Sequence, residues 1–484
     1  MHQKIAKFFM ITGALALFTS CTVGPDYVRP AAAVPSAYKE ATGWKAAQPK
    51  DNCMKGAWWE IFNDPQLNAL EDQVNISNQN IIAAEAQFRE ARALVQQARA
   101  AYFPTATAGA SFTRTRSAAA GGGGRASGAS TFSTYELPVT VSWEPDVWGR
   151  VRRMVEASQA NAQASAADLG ATQLSSQGEL AQDYFQLRTL DAQKQLLDDT
   201  VIKYRKSLEL TKYLYAQGVD SSAEVLQAEA QLKTTEAQAI DVGVQRAQME
   251  HAIALLAGKP ASDFSIPAAP IAAVPPAIPV GIPSELLERR PDIAAAERMA
   301  ASTNAQIGVA ESAFYPSITL SATGGFESSA ISNWLTWPSR FWSIGSAISE
   351  TVFDAGLRKA MTEQARAAYD ASVASYRQTV LTAFQGVEDN LAALRILEQE
   401  AGVEDEAVKA ARQTVAVITN QYKAGTVSYL NVIVAQSTEL ADENTAVNIL
   451  GRRMSASVLL IEALGGGWNT AVNQCVSPKI QASR

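Results

Sequence analysis

The chain has 484 residues, of which 47% are apolar and 18% charged, with a formal net charge of −7. That length can bury a large core, and the apolar fraction is that of a folded protein. The acidic balance excludes a nucleic-acid partner, for which a basic patch is expected.

Lys4 and Lys7 precede an apolar run from Phe8 to Phe18. The run is too short to cross a bilayer, which takes ~20 residues, and residues 1–20 have the form of an export signal. The signal closes on Leu17-Phe18-Thr19-Ser20-Cys21. Small residues directly before a cysteine resemble the lipobox of bacterial lipoproteins, although Phe18 stands where Leu is usual. The resemblance implies acylation of Cys21, and Thr22 in place of an aspartate implies passage to the outer membrane. Cys53 and Cys475 are the other two cysteines. An exported chain meets an oxidising compartment, so they are a candidate disulfide, the alternative being two buried thiols. His251 is the single histidine after the signal and has no cluster around it. Neither a metal site nor a cofactor is expected.

Residues 21–65 read as a lipidated, extended lead-in, with Asp64 and Pro65 as the cap and first position of a helix. A helical pattern covers 66–101 and stops before Pro104. The period then changes to two. Ala106, Ala108, Ala110 and Phe112 alternate with Thr and Ser, and Tyr135, Leu137, Val139, Val141 and Trp143 alternate with Glu136, Pro138, Thr140 and Ser142. That pattern predicts strands with one apolar and one polar face, joined by a Gly/Ser-rich loop at 118–130 into a hairpin at 105–144. Pro138 suits an edge or a bulge. Helical period returns over 147–215. Leu180, Tyr184, Leu187, Leu197, Val201, Tyr204 and Leu208 keep the spacing of a coiled-coil seam there. Gly218 ends this helix in a turn at 216–222, Ser221 or Ser222 starts the next, and a helix over 223–256 closes at Gly258. The long helix would span ~100 Å, with the hairpin at one end and the glycine turn at the other.

A Pro/Ala-rich linker at 259–288 separates this first repeat, 66–258, from a second at 289–465. The second repeats the plan: a helix over 291–313, a hairpin at 317–352 whose loop holds Trp334 and Trp337, a long helix over 354–422, a turn at 423–428, and a helix over 428–464. The tail, 466–484, shows no pattern. Tyr215-Ala216-Gln217-Gly218 returns as Tyr422-Lys423-Ala424-Gly425, a shift of 207 (422 − 215). The same shift joins Gly149 to Gly356, Leu187 to Leu394, Arg188 to Arg395, Arg246 to Arg453 and Gly258 to Gly465. A duplication of this length fixes the architecture. The expected fold is mainly α with a pair of β-hairpins.

Four strands with one apolar face cannot close, and an open sheet edge cannot sit in lipid. The smallest outer-membrane barrels have ~8 strands. Three chains give twelve, so the strands point to a trimer with a shared barrel and a helical tube below it.

Cys21-Thr22-Val23-Gly24-Pro25-Asp26-Tyr27, Trp58-Trp59-Glu60-Ile61-Phe62-Asn63-Asp64-Pro65, Leu286-Leu287-Glu288-Arg289-Arg290-Pro291-Asp292-Ile293, Asn304-Ala305-Gln306-Ile307-Gly308 and Phe314-Tyr315-Pro316-Ser317 carry a family resemblance. Together they resemble the TolC-like outer-membrane factors, of the NodT/OprM efflux-lipoprotein type, over nearly all of the mature chain. The resemblance implies a homotrimeric channel-tunnel with a twelve-stranded barrel, in the outer membrane of a Gram-negative bacterium. Its implied partners are a periplasmic adaptor and an inner-membrane transporter of the RND type. Energy comes from the transporter, so no catalysis is expected. The two turns become the periplasmic tip and adaptor contact: Gly218, Asp220, Ser221 and Glu224 in the first copy, Gly425, Thr426, Ser428 and Asn431 in the second. Carboxylates of the second turn commonly ring the aperture in that family, but here Asn431 and Val434 stand at those positions. Asp220 and Glu224 are the alternative ring, or else ordinary acids at a helix start. Two other functions remain as alternatives: a conduit for type I secretion or for oligosaccharide or metal export, and a pore-less periplasmic coiled-coil scaffold. The alternating strands count against the scaffold.

Overall fold

The computed structural model describes residues 22–31, 56–116, 131–271, 274–276 and 290–466. Its elements in order are α1 (Pro65–Ser77), α2 (Gln79–Ala100), β1 (Thr105–Ala108), β2 (Ser111–Arg116), β3 (Thr131–Trp143), α3 (Arg150–Ala216), α4 (Ser222–Leu256), α5 (Pro291–Ser312), β4 (Ser317–Ser328), β5 (Arg340–Ser349), α6 (Leu357–Lys423) and α7 (Tyr429–Ala463). None of the described helices is long and apolar enough to cross a membrane.

The duplication shows in the element lengths. The pair α3 and α6 has 67 residues each, and α4 and α7 have 35 each. Both pairs are offset by 207 (357 − 150 and 429 − 222). The helices α2 and α5 have 22 residues each and are offset by 212 (291 − 79). The five-residue slip (212 − 207) falls in the hairpins, where the first copy is longer.

The chain divides into two compact units. One comprises residues 1–31, 89–164 and 297–375 and holds the strands in a single antiparallel sheet. In that sheet β3 pairs with β1 and β2 on one side and with β4 on the other, and β4 pairs with β5. Residues opposite one another share a face, so the register sorts the side chains. Val141 faces Ala106 and Ala322, Tyr135 faces Phe112, and Ile344 faces Ala322. Most apolar residues of the strands therefore share one face, on which Trp342, Ile344 and Ile348 are 78%, 77% and 72% exposed, while Phe132 and Phe341 take the other. Glu136, Thr140, Ser321, Thr323 and Glu327 take the other face. The outer edges of β1, β2 and β5 have no strand beside them among the described residues.

Pro138 lies in the sheet interior, not at an edge or bulge as its sequence context suggests. It has no N–H to donate, and the strand on that side is split at Gly109 and Ala110, where Gly109 N donates to Pro138 O at 3.1 Å. On its other side stands Gly325, where a Cβ would lie 2.1 Å from the Leu137 carbonyl oxygen.

The lead-in is strapped to the same unit. Val23 N donates to Trp148 O at 3.1 Å. The Arg153 side chain, only 4% exposed, donates to Val23 O, Gly24 O, Asp26 and Glu156 at 2.8–3.2 Å. Gly24 crosses Gly308 so closely that a Cβ would sit 2.4 Å from its Cα.

The other unit comprises residues 32–88, 165–296 and 376–484 and is helical where described. Asp64 caps α1 by accepting from Gln66 N and Leu67 N at 2.9 and 3.2 Å, with Pro65 at the first position. The single helix expected over 66–101 is two. Asn78 has ψ 123, and its side chain accepts from Asn80 N and Ile81 N, capping α2. Trp58, Trp59, Phe62, Leu67 and Val74 pack on Leu180, Tyr184 and Leu187 of the expected seam and on Phe185 beside it. The start of the linker is also fixed. Ile266 is clamped by Arg246 at its O and Glu250 at its N, both at 2.6 Å, and Arg188 and Asp191 hold Pro267 and Ala269.

Glu71 of α1 is fully buried, and neither carboxylate oxygen has a hydrogen-bond partner in the described residues. Burial, with the neighbouring Asp72 charge adding to it, pushes its carboxyl up to about 9. Between the ordinary value and about 9 the folded chain keeps a proton that the unfolded chain releases, so stability falls by about 1.4 kcal/mol per pH unit. Glu71→Gln removes the titration and keeps the shape. In thermal unfolding in neutral detergent it should match the wild type near pH 4.5 and gain about 3 kcal/mol at pH 7; parallel pH profiles contradict this.

Candidate functional site: the paired glycine turns

Both turns follow one backbone plan. At the end of α3, Gly218 N donates to Tyr215 O at 2.9 Å and Val219 N to Leu214 O at 3.0 Å. At the end of α6, Gly425 N donates to Tyr422 O at 2.8 Å and Thr426 N to Gln421 O at 3.0 Å. This is a Schellman closure, which needs a left-handed residue past the helix. Gly218 and Gly425 supply it, with φ of 75° and 70°. Beyond the adjacent residues, no atom of the described residues lies within 4 Å of a Cβ built at either position, so the demand is conformational and not steric. Ser221 and Ser428, both extended, then start α4 and α7.

The side chains differ between the copies. Glu224 closes a capping box on Ser221, accepting from its N at 2.9 Å. Asn431 instead donates to the Ser428 hydroxyl at 3.2 Å. The acids of the first turn also reach the second copy. The Tyr422 hydroxyl donates to the Asp220 carboxylate and lies 3.2 Å from the Thr211 hydroxyl. Glu224 accepts from Tyr429 N at 3.4 Å. Beneath these contacts Tyr204, Leu208, Leu232, Tyr422, Tyr429 and Val432 form an apolar cluster, with the Tyr422 and Tyr429 rings 5.4 Å apart. The Tyr204 hydroxyl donates to Gln436 O at 3.2 Å, and Lys203 pairs with Glu439 at 3.4 Å. Burial first, and then the Asp220 carboxylate, drive the Tyr422 hydroxyl well above the usual phenol range. Burial pushes Tyr429 up to about 12.

The structure therefore brings Asp220 and Glu224 against the second copy, while Ser221, Thr426 and Asn431 stay exposed. From the sequence, Tyr204 reads only as a seam residue and Tyr422 only as a repeat match, and Tyr429 carries no signal. The repeat pairs Tyr422 with Tyr215, yet Tyr422 is 4% exposed and Tyr215 51%. Cys21, Cys53 and Cys475 lie outside the described residues. Among the described residues no group of three or more His, Cys, Asp or Glu can hold a metal ion.

The family model described as outer membrane efflux protein matches residues 70–259 and 282–466, one stretch for each copy. The chain belongs to the outer membrane efflux protein family. It is 30% identical over 463 residues to the solvent efflux pump outer membrane protein SrpC of Pseudomonas putida, covering 95% of this chain and 98% of that one. It is 28% identical over 459 residues to the cation efflux system protein CusC of Escherichia coli O6:H1, covering 94% and 97%. Among solved structures, the outer-membrane channel OprN superposes with a TM-score of 0.84 at 31% identity, covering 93% of this chain and all of that one. A CusC structure does so with a TM-score of 0.82 at 26% identity, covering 92% of this chain. The duplicated helix-and-hairpin fold is thus that of an outer-membrane efflux channel, and the chain is an outer-membrane protein of a Gram-negative cell.

A left-handed alanine costs about 1 kcal/mol. Gly425→Ala should therefore speed amide hydrogen exchange at Thr426 and the last turn of α6 about fivefold. Gly402→Ala, in open space inside the same helix at an ordinary φ, should leave exchange at the turn unchanged. Equal behaviour of the two variants contradicts the closure as described.

Proposed function

We propose that three copies of this chain close their strands into one barrel that crosses the outer membrane, with the glycine turns as its periplasmic tip. The observation that carries this is the sheet: one apolar face, one polar face and two uncovered edges on a chain with four strand positions. Two copies would make eight strands, whose interior side chains just fill; three make twelve, which leaves a lumen. The apolar face then meets lipid and the polar face lines the channel.

Cys21 carries the acyl anchor in this reading. Its neighbour Thr22 accepts from Arg152 at 3.2 Å, and Val23 is bonded to Trp148, at the junction of the sheet with α3. An acyl chain at Cys21 and the base of the barrel would therefore enter one leaflet together. The partners are a periplasmic adaptor at the tip and an inner-membrane transporter of the RND type, which supplies the energy. This chain contributes passage, not catalysis. Curated relatives are named for solvents, toluene, antibiotics and cations. One tunnel plan serves all of these, and we place the cargo choice in the transporter.

The tip residues take a defined role. Asp220 and Glu224 tie the first turn to Tyr422 and Tyr429 of the second, so opening the mouth requires these bonds to break. The test is single-channel recording in planar bilayers. Wild-type protein should form small, stable cation-preferring channels. Tyr422→Phe, Asp220→Ala and Glu224→Ala should each raise conductance or shift selectivity. Unchanged channels in all three variants remove these residues from the gate, and no channel in the wild type removes the pore.

A further inference from the structure

The apolar face of the sheet changes character at the loop ends of the strands. Along β2 the residues on this face run Phe112, Arg114, Arg116, and the register sets Phe112 opposite Tyr135. Arg340, the first residue of β5, stands opposite Phe326 and so takes the same face, two residues before Trp342. Its guanidinium lies over the Trp337 ring, and its Nε donates to Trp337 O at 3.0 Å. All three arginines are exposed, and no ion pair to them occurs among the described residues. The acids of the strands near these loops go the other way: Glu136 and Glu327 face each other on the polar side. The sequences of both hairpin loops, 117–130 and 329–339, contain no acidic residue.

Charge is thus sorted across the sheet: carboxylates on the channel side, guanidinium groups on the lipid side. Aromatic residues adjoin the guanidinium groups on the same face: Phe112 and Tyr135 beside Arg114, and Trp337 and Trp342 beside Arg340. Aromatic rings mark the border of the hydrocarbon layer in outer-membrane barrels. Cations beside such rings sit near the level of lipid headgroups, where each Arg gains about 1 kcal/mol from anionic lipid. Guanidinium groups also match phosphate oxygens in a bidentate fashion. The strands join α2, α3, α5 and α6 at their other ends, so in the barrel reading these loops belong to the outer leaflet.

We infer that Arg114, Arg116 and Arg340 form a belt that binds the phosphate groups of a phosphorylated lipid in the outer leaflet of the outer membrane. The inference rests on the barrel reading above, and threefold assembly would repeat the belt around the rim. The outer leaflet's phosphorylated glycolipid has the required chemistry: phosphates at the headgroup with acyl chains beneath, against Ile344 and Ile348.

The test uses the whole, acylated protein in neutral detergent, with lipid retention read by native mass spectrometry. The probes are a bis-phosphorylated lipid A and the same lipid without phosphates. The wild type should retain the phosphorylated lipid at least about tenfold more strongly than the dephosphorylated one. The triple variant Arg114→Gln, Arg116→Gln, Arg340→Gln should lose that preference. Inorganic phosphate at millimolar concentration should not displace the lipid; full displacement shows a free-anion site and overturns the lipid assignment. Equal retention of both lipids by the wild type, or unchanged preference in the variant, also overturns it. Bilayer recording of the same samples separates the two levels: channels without a phosphate preference sink only the belt, and absence of channels sinks the barrel itself.

Discussion

An unpaired backbone N–H or C=O in the hydrocarbon layer has no partner, and each costs several kcal/mol. The sheet of this chain has such rows along β1, β2 and β5, beside a face that is mainly apolar below the arginines at its loop ends. Neither feature suits a single chain in water or in lipid. Both are resolved together when copies of the chain pair edge to edge. The apolar face, the acids confined to the opposite face and the lead-in strapped at the base of the sheet all follow from that one requirement.

The helical unit answers a different demand. Two copies of one backbone plan meet at the turns, with equal helix lengths and matching left-handed glycines. Identical backbones leave room for different chemistry. The first copy places carboxylates at positions 220 and 224, and the second copy offers Val427 and Asn431 there. What the second copy offers in return is Tyr422, buried where its counterpart Tyr215 is exposed. The turns therefore interlock as unlike halves, acid against hydroxyl. An apolar cluster lies beneath a polar bond that can exchange with water. Such an arrangement joins the two turns through a few polar bonds over an apolar cluster.

Much of this was legible in the sequence. The period of two marked the strands, the coiled-coil spacing marked Leu180, Tyr184 and Leu187, and the shift of 207 placed the repeated turns. The misses have physical causes. The apolar pattern runs through Val74 and Ile81 without a change of phase, so periodicity could not show the break; the cue was Asn78, whose side chain caps as well as any helix start. Pro138 reads as an edge residue from its neighbours alone. Its central place depends on β3 pairing with β4, nearly two hundred positions away, which no local pattern encodes. The contact of Asp220 with Tyr422 joins the two copies across a similar distance. The duplication, by suggesting that Tyr422 and Tyr215 are equivalent, hid it.

The central claim is that the sheet is completed by other copies of the same chain. Native mass spectrometry of the mature protein in neutral detergent tests it most directly, by weighing the assembly. The account predicts a species of three chains that survives mild activation and falls to single chains only on heating. A folded, channel-forming species of one chain would contradict it, since its strand edges would then lie open in the membrane.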